Sequence, residues 1–180
     1  MLKALKSREL EFALGDWETW ARLPQIAPDR LEPDRTWSTW LIMGGRGSGK
    51  TRVGAEWVRQ LVRSHKDSAG PDGLRIVLVG PSYAETRAVM VDGVSGLLSL
   101  DWQDMRPEFI SSRRVICWPN GAVAQLFSAE DPEELRGPQF GHAWCDGTKP
   151  LPAMPVRLMT GCCFALSRWV MQTRTRRLTR

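Results

Sequence analysis

One stretch of eight residues constrains the fold of this chain more than any other. Residues 44–51 read Gly-Gly-Arg-Gly-Ser-Gly-Lys-Thr and match the pattern G-x-x-x-x-G-K-[ST]. In such a loop, successive backbone N–H groups turn inward around a phosphate, and the following helix adds its positive dipole end. The pattern therefore predicts a phosphate-binding loop between a strand and a helix.

The residues on either side of the loop have the expected character. Residues 36–43 are β-branched, aromatic and apolar, as in a buried strand, whereas residues 52–63 carry apolar side chains at helical spacing. The dinucleotide fingerprint G-x-G-x-x-G does not fit, because Lys50 occupies the third glycine position after Gly45 and Gly47. A purely structural glycine turn is the alternative to phosphate binding.

The loop pattern assigns roles to individual side chains. Lys50 is expected to reach the β and γ oxygens of a nucleotide, and the Thr51 hydroxyl is expected to ligate Mg²⁺. The predicted nucleotide-binding residues are the eight of the loop: Gly44, Gly45, Arg46, Gly47, Ser48, Gly49, Lys50 and Thr51.

Composition favours a single domain. A chain of 180 residues that is 42% hydrophobic can bury the core of one α/β domain. Its four cysteines show no metal-binding spacing, which is typical of a reduced, cytosolic protein. The charged N-terminus and the lack of a run of about 18 apolar residues predict neither a secretion signal nor a membrane span.

The net charge of +5 is concentrated at one end. Residues 1–146 carry 18 basic and 20 acidic side chains, whereas residues 147–180 carry seven basic and no acidic ones. Such a tail can bind phosphate backbones nonspecifically, and an ordinary solvated chain end is the alternative.

The remaining patterns divide the chain into an N-terminal helical arm with a proline-rich segment (1–35), a phosphate-loop core (36–146) and a basic tail (147–180). In the core we predict a strand at 74–79, a helix at 83–98, a hairpin of 113–118 with 122–127 about an Asn-Gly turn, and a helix starting at 131–135.

An aspartate ends the next predicted strand. Residues 141–146 are largely apolar up to Asp146. In phosphate-loop enzymes an aspartate at the end of a neighbouring strand holds the magnesium ion. Although apolar strands ending in aspartate are common, the upstream loop makes Asp146 the candidate partner of Thr51 at a metal site.

Three segments together resemble a known family. Residues 44–59, the Trp-Pro-Asn-Gly-Ala run at 118–122 and residues 128–140 are similar to the ATPase domain of large terminase subunits, the motors that package DNA into tailed-phage heads. The version here is most similar to that of phage-like gene transfer agents and related prophages. The resemblance covers roughly residues 20–146 and is highly specific.

The resemblance implies a three-layer α/β sandwich with a mostly parallel central sheet, truncated after the Asp146 strand. It implies ATP and Mg²⁺ as ligands, and double-stranded DNA, a small terminase subunit and a portal ring as partners. It also implies the cytoplasm of a bacterial host, no membrane association, and a homo-oligomer only on the portal.

Family roles can be assigned to matching residues. The resemblance implies that Arg46 contacts the γ-phosphate and acts in catalysis with Lys50 and Asp146; a solvent-facing loop arginine is the alternative. Gln25 matches the adenine-reading glutamine of terminases, although it could equally be an ordinary loop residue.

The match stops at a chemically important position. Terminases follow the magnesium aspartate with a glutamate that orients the attacking water, and this chain has Gly147. The family also has a Ser/Thr-rich coupling strand and an aspartate-rich nuclease domain, and no carboxylate follows Asp146 here. We therefore expect impaired turnover and no nuclease domain.

A frameshift is one hypothesis for this change. If residues 147–149 were encoded GGA-ACT-AAG, removal of one G would give Glu-Leu, the dipeptide expected in the family; a genuinely divergent C-terminus is the alternative. Three functions remain open: a DNA-packaging ATPase, a hydrolysis-deficient nucleotide-binding remnant, and another phosphate-loop enzyme such as a helicase or small kinase.

Overall fold

A seven-stranded sheet forms the centre of the computed structural model, which describes residues 15–28, 39–65, 73–136, 139–147 and 168–173. The spatial order of the strands is β1-β7-β6-β2-β5-β4-β3. They are β1 (Thr39–Met43), β2 (Arg75–Gly80), β3 (Glu108–Ile110), β4 (Val115–Cys117), β5 (Val123–Ser128), β6 (His142–Gly147) and β7 (Arg168–Thr173).

The helical elements are mostly short. Helix α1 spans Trp17–Trp20, α2 spans Lys50–Ser64, and α3 spans Tyr83–Glu85 and continues as a π-helical segment, Thr86–Val91. Single 3-10 turns occur at Leu23–Gln25, Leu97–Ser99, Gln103–Met105, Ser111–Arg113 and Pro132–Arg136. The predicted order of strand, glycine loop and helix is confirmed by β1, residues 44–49 and α2.

The expectation of a mostly parallel sheet is wrong. Strand β2 pairs in parallel with β5 and with β6, but the other four neighbouring pairs are antiparallel. Tight connections force β3, β4 and β5 to alternate in direction. At the other side, β7 runs antiparallel between β1 and β6, so the sheet does not end with the Asp146 strand as the sequence suggested.

The core lies on both faces of the sheet. Because side chains alternate along a strand, β2 sends Ile76 and Leu78 to one face and Val77 and Val79 to the other. The first face packs against the apolar side of α2, while Leu135 and Phe140 lie on the second. The layer of helices predicted on the second face of the sheet remains a prediction.

The predicted helix at 83–98 is wrong beyond its first turns. It begins as expected, with the Ser82 hydroxyl accepting a hydrogen bond from the Glu85 N–H. The chain then turns sharply at Gly93 and Gly96, where an added Cβ would lie 2.7 Å from the Val89 carbonyl oxygen and 2.5 Å from the Val91 carbonyl oxygen. Of the predicted arm and proline-rich segment at 1–35, residues 1–14 and 29–35 lie outside the described residues, as does most of the predicted tail at 147–180.

The Asn-Gly hairpin is confirmed and also caps α2. Strands β4 and β5 pair across a turn in which Gly121 has a φ of 85°. The Asn120 Nδ2 group donates to the carbonyl oxygens of Val62, at 2.9 Å, and His65, at 2.6 Å. These bonds satisfy carbonyl groups that the end of a helix leaves unpaired.

A buried ion-pair network fixes the N-terminal segment to α2. The fully buried Glu56 carboxylate lies 2.8 Å from Arg52 Nη2 and 2.6 Å from Arg59 Nε. The remaining Arg59 donors reach the carbonyl oxygens of Asp101, at 3.0 Å, and Gly15, at 2.9 Å. The network therefore places residues near Gly15 beside the helix that carries Lys50 and Thr51.

We expect acid to destabilise the protein through His142. Burial, with a smaller effect from His65, lowers the pKa of His142 from 6.5 to about 4. Folding therefore favours the neutral ring, so this contribution to stability is fully present above pH 6.5 and is lost as the pH falls towards 4. The loss is about 3 kcal/mol at most. Urea unfolding between pH 7.5 and 4.5 measures it.

Matched histidine variants test the origin of this pH dependence. His142→Gln should remove this acid-dependent loss, so its free energy of unfolding relative to the unmodified protein should increase by up to about 3 kcal/mol as the pH falls from 6.5 to 4. His65→Gln, at an exposed position, should change the profile little. Equal profiles for His142→Gln and the unmodified protein would contradict the assignment.

Candidate phosphate-binding site

Two glycines of the loop have a left-handed backbone conformation. Gly47 and Gly49 have φ values of 73° and 80°, a region that side chains with a Cβ rarely adopt. An added Cβ at Gly44 would lie 2.6 Å from the Ser48 hydroxyl oxygen, so the loop also closes tightly on itself. Its first residues, 44–47, are exposed, and residues 48–51 are half-buried.

The Lys50 ammonium group lies inside the loop. Its Nζ atom donates to the Gly44 carbonyl oxygen at 2.9 Å, the Gly45 carbonyl oxygen at 2.7 Å and the Ser48 hydroxyl at 3.3 Å. Lys50 is the first residue of α2 and Thr51 is the second. The positive end of the helix and the lysine charge therefore meet at one place, as an anion site requires.

Asp146 shares the electrostatic environment of Lys50. It is the penultimate residue of β6 and is half-buried. Burial raises the pKa of Asp146 to about 7; the Lys50 charge lowers this pKa and the Glu85 charge raises it. The structure therefore brings together Lys50 and Asp146, two residues separated by 96 positions that the sequence assigned to one site.

A close approach of α2 to β6 accounts for this proximity. At Gly54 the helix has no side chain, and the Trp144 ring occupies the space where a Cβ would lie. Trp144 is fully buried and lies two residues before Asp146. Gly54 in turn lies one helical turn after Thr51, so the packing sets the distance between the loop and the end of β6.

Gln25 lies against the loop backbone. Its Nε2 atom donates to the Ser48 carbonyl oxygen at 3.2 Å, and Arg22 Nη2 donates to the same oxygen at 2.8 Å. Arg46 is exposed at the loop, which fits both the γ-phosphate role and the solvent-facing alternative. Thr51 is half-buried in the first turn of α2.

Comparison with known proteins supplies the family. Residues 41–151 match the family described as Terminase large subunit, T4likevirus-type, N-terminal. The chain belongs to the large terminase subunit family. No curated protein and no solved structure matches it. The family suggests a role in DNA packaging, and the match runs from β1 through the glycine loop to the residues that follow Asp146.

The effect of Glu85, whose charge raises the pKa of Asp146, was not predicted from the sequence of this terminase chain. Glu85 follows β2, whose carboxyl end lies beside that of β6 because the two strands are parallel neighbours. The sequence signal was Ser82-x-x-Glu85 directly after a strand, a capping pattern that places a carboxylate at a strand end. The four carboxylates that follow β5, Glu130, Asp131, Glu133 and Glu134, are exposed.

Other kinds of site find no support in the described part of the terminase chain. It contains no group of three or more His, Cys, Asp or Glu side chains that could hold a metal ion by themselves. Neither Cys117 nor Cys145 forms a disulfide. No helix among the described residues is long and apolar enough to cross a membrane.

Proposed function

We propose that this terminase chain binds ATP with Mg²⁺ at the glycine loop and belongs to the motor that packages double-stranded DNA into a phage-like capsid. The observation that carries the proposal is the Lys50 ammonium group inside the loop with the Asp146 carboxyl group in its electrostatic reach.

The residues present fit a magnesium nucleotide. Lys50 carries the positive charge for the phosphates, and the loop supplies backbone N–H groups. Thr51 and Asp146 are oxygen ligands of the kind that Mg²⁺ prefers. When bound, Mg²⁺ supplies charge that stabilises phosphoryl transfer. The raised pKa of Asp146 means that metal binding should release a proton below about pH 7.

Gly147 favours slow turnover within this proposal. A glycine cannot orient or polarise water, and loss of one such group commonly costs on the order of 10² to 10⁴ in rate. The protein should therefore bind nucleotide and hydrolyse it slowly, as a hydrolysis-deficient form of the motor. Turnover at an ordinary motor rate of the unmodified protein would refute this part of the proposal.

The expected partners follow from the family. We propose double-stranded DNA, a small terminase subunit and a portal ring, with the chain forming a homo-oligomer only when assembled on the portal. The helicase and small-kinase alternatives share only the loop, whereas the family match extends over residues 41–151.

Nucleotide binding can be tested by a thermal melt with and without Mg-ATP. A ligand at 100 times its dissociation constant stabilises the folded state by about 2.7 kcal/mol, so the melting temperature should rise. Lys50→Ala should weaken binding about 100-fold, because it removes a charged donor from the site. An unchanged melt of the unmodified protein at millimolar Mg-ATP would end the proposal.

A basic residue at the other end of the same helix serves as the control. Arg63 lies in the last turn of α2 and is exposed. Arg63→Ala removes the same charge while leaving the loop intact. Its melt should rise with Mg-ATP as much as that of the unmodified protein, and an equal loss in both variants would point to net charge rather than to the loop.

A further inference from the structure

Two side chains from the N-terminal segment converge on one carbonyl group of the loop. Arg22 Nη2 and Gln25 Nε2 both donate to the Ser48 carbonyl oxygen, at 2.8 Å and 3.2 Å. Arg22 and Gln25 precede Ser48 by 26 and 23 residues, so these are tertiary contacts. Both lone pairs of that oxygen are thereby used.

Arg22 and Gln25 also bind each other. The Gln25 Oε1 atom accepts from the Arg22 backbone N–H at 3.0 Å and from Arg22 Nε at 3.3 Å. These bonds fix the orientation of the Gln25 amide. In a flipped amide, the NH₂ group would face the Arg22 donors and the amide oxygen would face the Ser48 carbonyl oxygen, so the hydrogen bonds would be lost. We call Arg22 and Gln25 together the loop brace.

The loop brace determines the direction of the next backbone N–H group. In a trans peptide the carbonyl and the following N–H point in opposite directions. With the Ser48 carbonyl held towards Arg22 and Gln25, the Gly49 N–H points away from them. Gln25 also lies close to Gly49, since an added Cβ there would be 3.0 Å from Gln25 Nε2.

We propose that Arg22 and Gln25 are positioning residues that hold the Ser48–Gly49 peptide in the orientation required for phosphate binding. This inference rests on the proposed nucleotide-binding function. In this inference Gln25 supports phosphate binding by holding the loop backbone, and it does not recognise adenine. Its amide already has three hydrogen bonds to the protein, so little of its capacity remains for a base.

The two roles of Gln25 predict different ligand dependence. We would measure the affinities of Gln25→Ala and Arg22→Ala for Mg-ATP, Mg-GTP and Mg-tripolyphosphate by calorimetry. If Arg22 and Gln25 act as the loop brace, each single variant should lose about tenfold in affinity. The loss should be equal for the three ligands, because all three bind through phosphates. The double variant should lose less than the product of the single losses, because the two residues act together.

Gln60 provides a matched control. Its Nε2 atom donates to Glu18 Oε1 at 3.4 Å, so Gln60 also connects the N-terminal segment to α2. It lies 12 residues after Ser48 in the sequence. Gln60→Ala should leave all three affinities unchanged. A loss for Mg-ATP alone in Gln25→Ala would assign base recognition to Gln25 and overturn the loop brace, as would three unchanged affinities.

A measurement without nucleotide separates this inference from the proposed function. In NMR spectra of the unliganded protein, the Gly49 backbone amide resonance should shift in Gln25→Ala and Arg22→Ala, because the Ser48 carbonyl of the same peptide loses a hydrogen bond. It should stay unchanged in Gln60→Ala. A shifted resonance in a protein that binds none of the three ligands would refute nucleotide binding but retain the brace as a structural contact. An unshifted resonance would refute the brace itself.

Discussion

Gly147→Glu should raise the rate of ATP hydrolysis by about 10² to 10⁴. The variant places a carboxylate directly after Asp146, where terminases have the glutamate that orients the attacking water. Gly147 ends β6 and is not among the glycines with positive φ, so its backbone conformation is compatible with a side chain. Steady-state phosphate release at saturating Mg-ATP measures the change.

Gly147→Gln is the control for this experiment. It has nearly the shape of the glutamate variant but cannot accept a proton, so its rate should stay near that of the unmodified protein. Both variants should bind Mg-ATP with similar affinity. Equal rates for the glutamate and glutamine variants would contradict the proposal that the missing carboxylate limits turnover.

The same assay tests whether Glu85 performs the task of the missing glutamate. If the unmodified protein already turns over at an ordinary motor rate, a carboxylate near Asp146 must perform the task of the missing glutamate, and Glu85 is the described residue whose charge acts there. Glu85→Gln would then abolish turnover. With slow turnover in the unmodified protein, Glu85→Gln should change the rate little.

Gly54→Val should leave the protein without a stable folded state. A Cβ at this position would lie 2.1 Å from Cε2 and 2.4 Å from Cζ2 of the Trp144 ring. Trp144 is fully buried in the core, so the ring has no space into which it can move. Either α2 would have to move away from β6 or the tryptophan would have to leave the core.

Gly54→Ala distinguishes helix propensity from packing. Alanine in place of glycine stabilises a helix by up to about 1 kcal/mol, whereas overpacking of this severity costs about 3 kcal/mol. We therefore expect a net loss in urea unfolding. A gain of about 1 kcal/mol would show that α2 does not contact Trp144 as described.

A second glycine provides the control for both Gly54 variants. A Cβ at Gly141 would have the Arg75 carbonyl oxygen as its nearest neighbour, at the ordinary contact distance of 3.9 Å. Gly141 immediately precedes β6, the strand that carries Trp144. Gly141→Ala should therefore change the free energy of unfolding by no more than about 0.5 kcal/mol.

Sequence patterns were informative where the structure depends on neighbouring residues. The glycine loop, α2, β2 and the Asn-Gly hairpin each have signals within about ten residues, such as the loop pattern, apolar periodicity or the Asn-Gly pair. The sequence also assigned Lys50 and Asp146 to the same edge of the sheet, and the Lys50 charge lowers the pKa of Asp146.

Contacts between distant segments could not be predicted in this way. The hydrogen bonds of Arg22 and Gln25 to Ser48 depend on the tertiary position of the N-terminal segment. The Glu85 charge raises the pKa of Asp146 only because β2 and β6 are neighbouring strands. Strand β7 lies in a tail without clear alternation, and its place in the sheet comes from backbone pairing with β1 and β6.

The position of β7 has a consequence for the geometry of the site. Among the described strands, β7 is the one that pairs with β1, and it also pairs with β6. The strand leading to the glycine loop and the strand carrying Asp146 are therefore two interstrand spacings apart, about 9.5 Å. A shift of β7 by two residues against either neighbour would displace one half of the site relative to the other by roughly 7 Å. The alignment of Asp146 with the glycine loop therefore depends on the strand that lies between them in the sheet.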